Sequence, residues 1–382
     1  MSNNFKTTTR SARAGNIIKR LSVSLLDPGE DLIDWYDVAG VGMDLVGEEQ
    51  SMTRSNEALA DEFSGYVRRV SPIVADFTGL EMKAGSIATV VFNRKEWIAI
   101  TTENLKPMLE VLLKGFIGSH SSVGEKQDLN RFVKMGLAGE LGLTIGYLAT
   151  RVLGQYDLAM MSGSDRPGQL YFIYPNILET EKRIGFDPTS FRLWLALHEV
   201  THGFEFEANS WIKKYIEELI REYSQHMEAR LERTSQWLGD DELGDDPLLK
   251  IASLRSISWL MSPDENPVLA KTQAIMSVLE GYSEYVMAKA GADIISDRQG
   301  IAMLMDHARA NRNWIHKLVE KVIGLEIKMQ QYRHGYAFIQ NAADVGGMSL
   351  VNRVWEGPAA MPTLSELREP QLWITRMLRK SG

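Results

Sequence analysis

His198-Glu199-Val200-Thr201-His202 is the stretch on which the reading of this chain turns. On a helix, residues four apart share a face, so the two imidazoles stand about 5–6 Å apart at Cβ. Both rings can then reach one zinc ion at about 2.0–2.1 Å. Glu199 lies one residue round from the first ring, close enough to take a proton from a water on that ion. The run is a fragment of a metallohydrolase site that lacks a third ligand and a substrate groove.

Just upstream, Asp187-Pro188-Thr189-Ser190 is a helix start. Asp187 serves as N-cap and Pro188 as the first helical residue, where a missing N–H costs nothing. Phe191, Trp194, Leu195 and Leu197 then make the helix apolar. A buried helix resists charge unless the charge is paired or bound to metal. Two histidines and a glutamate inside it are hard to explain as packing. The bland alternative is a pair of core histidines satisfied by backbone carbonyls.

Zinc in a hydrolase usually holds three protein ligands and leaves one position for water. A third histidine six residues after the second would complete a metzincin pattern, but position 208 is Ala. Glu205 shares the stripe of His198 and His202, yet positions 198 and 205 are about 10 Å apart along a helix axis. The third ligand is therefore expected from a second helix, with Glu205 as the fallback. Glu280 is the best candidate, because Ile275, Met276, Val278, Leu279, Val286 and Met287 make its helix apolar over most of its circumference. Glu284, one turn on, can hold the free N–H of a ligand imidazole as an outer carboxylate. The alternative for both is a carboxylate facing solvent.

Taken together these residues resemble the bacterial zincin-like hydrolases, a family of unassigned function that is sometimes linked by name to biosynthesis of a deazaflavin coenzyme. The resemblance rests on Val152-Leu-Gly-Gln-Tyr-Asp157, Tyr174-Pro-Asn-Ile177, the helix from Trp194 to His202 with Trp211 after it, and Leu279-Glu-Gly281. It continues through Gly324-Leu-Glu-Ile-Lys328, Gln331-Tyr-Arg-His-Gly335, Trp355 and Pro362-Thr-Leu-Ser-Glu366, so it spans residue 31 to the C-terminus. It implies a zincin fold with His198 and His202 as metal ligands, Glu280 as third ligand and Glu199 as general base. It supplies no substrate. In thermolysin-like enzymes the third ligand follows the motif by a short helical hairpin, whereas here a long insertion separates His202 from Glu280. That insertion can remodel the cleft.

Composition narrows the class. The chain has 382 residues, 44% of them hydrophobic and 24% charged, as in a soluble globular protein. A net charge of −8 argues against nucleic-acid binding through bulk charge. With no cysteine, disulfides, thiolate metal sites and cysteine catalysis are excluded. That suits a reducing cytoplasm, which is the expected location. No apolar run approaches the ~18–20 residues needed to span a bilayer, so no membrane partner is expected. The basic N-terminus, with Lys6, Arg10, Arg13, Lys19 and Arg20, reads as an arm over residues 1–30, and Leu21 to Leu26 is too short for a signal-peptide core. Residues 31–382 read as one zincin-like unit, helical over 31–150 and carrying the metal site over 151–382.

The predicted class is α+β, predominantly helical, with a small sheet beside the motif helix. Helices are expected over Asp31–Val46, Ser55–Phe77, Glu103–Ile117 and Leu129–Leu153, the last with Gly136, Gly139, Gly142 and Gly146 as sites of close packing. Ile87–Phe92 is a strand candidate. Tyr156–Met161 and Gln169–Tyr174 flank a turn-rich loop and read as a β-hairpin. In zincins such an edge strand can receive an extended substrate by β-augmentation; a purely structural hairpin is the alternative. Trp211–Leu238 is a long charged helix, and Gly239–Asp246 an acidic breaker. More helices are expected after Gly300, then an irregular tail that ends helical.

The leading functional expectation is a zinc-dependent hydrolase, most simply a metallopeptidase, acting on a peptide or small-molecule substrate. The oxyanion partner that such chemistry needs is sought among Tyr282, Tyr285, Tyr332, Arg333 and His334. Tyr332 and His334 are preferred because they fall in a block carrying the resemblance. A metal-binding scaffold without turnover, or a metalloenzyme acting on a small metabolite, are the alternatives. An intact Glu199 argues against the first.

Overall fold

Helices enclose a three-stranded sheet in the computed structural model, which describes residues 31–48, 56–82, 87–117, 127–157, 168–185, 187–242, 266–294 and 333–379. The N-terminal arm, residues 118–126, the segment 243–265 and the region after Gly300 up to Tyr332 lie outside these residues.

In chain order the described elements begin with α1 (Trp35–Val46), α2 (Asn56–Thr78), β1 (Ala88–Phe92), α3 (Arg94–Ile117) and α4 (Gln127–Ala149). They continue with β2 (Gly154–Asp157), β3 (Gln169–Ile173), α5 (Tyr174–Ile184), α6 (Pro188–Ala208), α7 (Trp211–Glu242) and α8 (Pro267–Ala290). The last are α9 (Arg333–Val351), two short 3₁₀ turns, α10 (Leu364–Arg368) and α11 (Pro370–Arg379). The class is the predicted one, mostly helical with a small sheet. Among the described residues no helix is long and apolar enough to cross a membrane.

The sheet has the order β1-β3-β2. Strands β2 and β3 form the predicted antiparallel pair, with Tyr156 opposite Leu170. Strand β1 adds parallel to the far side of β3, Ala88 opposite Gln169. A parallel neighbour needs a crossover, which helices α3 and α4 supply. Strand β2 is left as an edge, and α6 packs beside it.

Two caps fix the site helices. Asp187 precedes α6 and its carboxylate accepts the Ser190 N–H at 2.8 Å, with Pro188 following it. Asn266 precedes α8, accepting the Val268 N–H at 2.9 Å, with Pro267 after it. Each satisfies an N–H that helix geometry leaves orphaned. Helix α6 is buried on nearly all sides, through Phe191, Leu193, Leu195, Leu197 and Val200 among others. Arg192 in the same helix is held by Glu181 at 2.7 Å and by Glu62, which ties α6 to α5 and α2.

Helix α7 runs past its expected end at Leu238 through Asp240, Asp241 and Glu242, and the rest of the acidic segment, 243–246, lies outside the described residues. Gly239 costs a helix only about 1 kcal/mol, too little to end one of this length. The C-terminal tail packs against α8 and α9. It is clamped by Arg376, which donates to Glu366 at 2.6 Å.

Candidate metal centre

Helices α6 and α8 pack together. Their contact brings His198, His202 and Glu280 into one group, each offering a ligand atom, all within 4.8 Å of one another. The imidazole centroids are 4.6 Å apart and the ring planes cross at 77°. Trp194 lies parallel to the His198 ring at 6.4 Å. All three side chains are partly exposed, whereas Glu199 and Glu205 beside them are buried.

The outer nitrogens of the two rings have different partners. His202 Nδ1 meets Glu205 Oε2 at 2.8 Å. His198 Nδ1 meets Met287 Sδ at 3.1 Å. Engaging Nδ1 of His202 turns its Nε2 to the opposite side of the ring, the side an ion would take. Burial works against a charged His202, but Glu205, then Glu280 and Glu199, outweigh it and raise its pKa to about 9.

Glu199 is 5% exposed. Burial pushes its carboxyl up to about 7, with Glu280 adding to the rise and His202 opposing it. The backbone N–H of Tyr156, on edge strand β2, works weakly against that rise. The strand comes so near that a Cβ on Gly154 would stand 2.7 Å from the Glu199 carboxylate oxygen. Tyr156 itself is anchored by its hydroxyl, which donates to Glu207 at 2.5 Å, while the Gly168 N–H donates to the same oxygen at 3.0 Å. The hairpin is thereby fastened to the C-terminal end of α6.

The remaining candidates are spread more widely. Glu284 is buried on α8, and the carboxylate at His202 Nδ1 is that of Glu205. His334 is half-buried in the first turn of α9. The next residue, Gly335, packs backbone to backbone on Gly281, beside Glu280. Tyr332 lies outside the described residues. Tyr282 is fully buried and its hydroxyl donates to Asn352 at 2.9 Å, so it serves the core. Tyr285 packs near Phe77 and Tyr336, with Lys289 over its ring. Sequence reasoning assigned no role to Met287, Gly154 or the Tyr156 backbone. Glu205 was legible from its i,i+3 spacing to His202 but was weighed only as a ligand. Nothing in a strand's sequence announces which backbone N–H meets a helix side chain.

Two imidazoles and a carboxylate are a donor set suited to zinc and to other divalent first-row metals. Ligand atoms on one tetrahedral zinc stand about 3.3 Å apart. The spread of up to 4.8 Å therefore closes with side-chain shifts of roughly an ångström, and the residues fit such an ion.

The sequence profile of a family described as a zincin-like metallopeptidase matches residues 33–374. The chain is also similar to a candidate hydrolase with a novel fold from Chloroflexus aurantiacus, known from its crystal structure, at 28% identity and a TM-score of 0.67. That likeness covers 91% of this chain and 99% of the other. No curated protein matches the chain.

Proposed function

The chain belongs to the zincin-like metallopeptidase family, and from that premise we propose that it is a zinc-dependent hydrolase of amide bonds, most simply a peptidase. Its ligands are His198, His202 and Glu280, and its general base is Glu199. The observation that carries this reading is the meeting of those three side chains within 4.8 Å, with the buried Glu199 carboxyl beside them.

His198, His202 and Glu280 would hold a zinc ion that would supply Lewis-acid chemistry, polarising the scissile carbonyl and acidifying water. The chain's own residues do the rest. Glu199 accepts a proton from the attacking water and returns it to the leaving nitrogen. Strand β2, which comes close to the Glu199 carboxylate at Gly154, limits the directions in which Glu199 can point. His334, in the first turn of the helix packed on α8, is the proposed donor to the oxyanion. Tyr332 precedes it in sequence and is the second proposed donor.

One observation favours a small metabolite over a peptide as substrate. An extended peptide docks on an edge strand through outward backbone groups, and the Glu199 side chain already lies close against β2 at Gly154. The experiment that decides is a digest of a peptide library by metal-loaded protein, with and without chelator and with metal content measured in parallel. Chelator-sensitive cleavage supports the peptidase. If metal-loaded protein cleaves nothing, the peptidase falls and the metabolite and non-catalytic scaffold readings move ahead.

A further inference from the structure

Glu205 is fully buried, yet neither the cap, the hydrophobic face nor the proposed ligand set of α6 requires a carboxylate there. One oxygen, Oε2, lies 2.8 Å from His202 Nδ1. The other, Oε1, is buried with no hydrogen-bond partner. Leaving a buried carboxylate oxygen unpaired is costly. An apolar residue in this position would avoid that cost.

We infer that Glu205 is a positioning residue for the metal centre: it accepts the Nδ1–H of His202, holds the ring with Nε2 toward His198 and Glu280, and makes that nitrogen a stronger donor. This rests on the proposed ligand set. A carboxylate behind a ligand imidazole fixes its tautomer and raises its basicity, and losing one typically costs 10–100-fold in metal affinity. Here the carboxylate comes from the same helix, one turn on, so the ring and its holder move as one body. His198 has a thioether at the equivalent nitrogen.

The test uses the full chain as wild type, Glu205→Gln and Glu205→Ala, with zinc affinity read by competition against a chromophoric chelator. Unfolding of the metal-free proteins checks that each variant folds, and the isosteric Gln serves if Ala does not fold. A second readout is the ring N–H proton resonance of His202 in the zinc-loaded protein, which a merely structural role for Glu205 would not move. Affinity is expected to fall about 10-fold in Gln, which keeps an acceptor without charge, and about 100-fold in Ala. The His202 Nδ1–H resonance is expected downfield in wild type and lost or shifted upfield in Ala. Wild-type affinity and an unmoved resonance in both variants overturn the inference while leaving the metal site standing. Loss of stoichiometric zinc in Glu205→Gln with retention in Glu280→Gln also overturns it, because Glu205 is then itself a ligand. A wild type that takes up no zinc overturns the proposed function and this inference together.

Discussion

The Glu199 carboxylate and the α-carbon of Gly154 are so close that a methyl group on Gly154 would lie 2.7 Å from the carboxylate oxygen. The edge strand can approach the motif helix this nearly only because residue 154 has no side chain. Gly154→Ala should push strand and carboxylate apart and weaken the Tyr156 N–H contact. Overpacking of this kind costs about 1–3 kcal/mol. We expect denaturant melts to show that loss, with metal content near wild type and activity reduced. A variant with wild-type stability and turnover would mean that the contact does not constrain Glu199.

Glu199 and His202 separate catalysis from metal binding. Glu199→Gln keeps the shape but cannot take the proton. Its metal content should match wild type while hydrolysis drops by about 10²-fold or more. His202→Ala should lose metal and activity together, because two ligands hold zinc poorly. Equal turnover by Glu199→Gln and wild type on any substrate would remove Glu199 as base even with the zinc site intact.

Glu366 gives the fold a pH dependence of known sign. Burial alone would raise its carboxyl, but Arg376 and the Thr363 N–H outweigh burial and hold it below the ordinary carboxylate value of 4.5. A depressed folded-state pKa means that the unfolded chain binds the proton first as pH falls. The stabilisation is thus complete above about 4.5 and is lost as pH drops through the folded value. Glu366 caps α10 and clamps the tail onto the helices that carry Glu280 and His334. Glu366→Gln should cost about 1–3 kcal/mol near neutral pH, and the gap to wild type should shrink in acid. Urea melts at the two pH values measure it, and a gap that widens in acid contradicts the assignment.

The helical part of the site was the most legible from sequence. The motif's spacing, the Asp187-Pro188 start and an acid in a second apolar helix are local patterns, and local patterns survive folding. The fold class followed from counting long helical periods against few strand candidates. What sequence did not carry is relational. The parallel pairing of β1 with β3 depends on a crossover through two helices, and β1 looks the same whichever strand it joins. Four glycines of α4 looked alike, yet a Cβ would strike backbone only at Gly142 and Gly146, where α1 crosses, and would meet nothing within 4 Å at Gly136 and Gly139. Glu205, one turn on from His202, reaches the ring's outer nitrogen rather than an ion, and spacing alone does not distinguish the two.

Glycine substitutions can read the crossing that places Glu280. At Gly281 a Cβ would run into the carbonyl carbon of Gly335 and stand 2.7 Å from the Tyr336 nitrogen. At Gly335 it would run into the Ser277 carbonyl. These obstacles are backbone, so neither helix can yield by turning a side chain, and α8 and α9 must separate. Gly281→Ala is expected to destabilise the protein by about 1–3 kcal/mol or more and to weaken zinc binding, since Glu280 is its immediate neighbour. Gly139→Ala is the control, a helical glycine with open space around its α-carbon. There the ordinary preference of helices for alanine should stabilise by about 0.5–1 kcal/mol. The same chemical change thus has opposite signs at two helical glycines, one at the site's supporting contact and one away from it. Denaturant melts of both variants with chelator competition on each decide the matter. If Gly281→Ala is as stable as Gly139→Ala and binds zinc as wild type does, α9 is not what holds Glu280 in place.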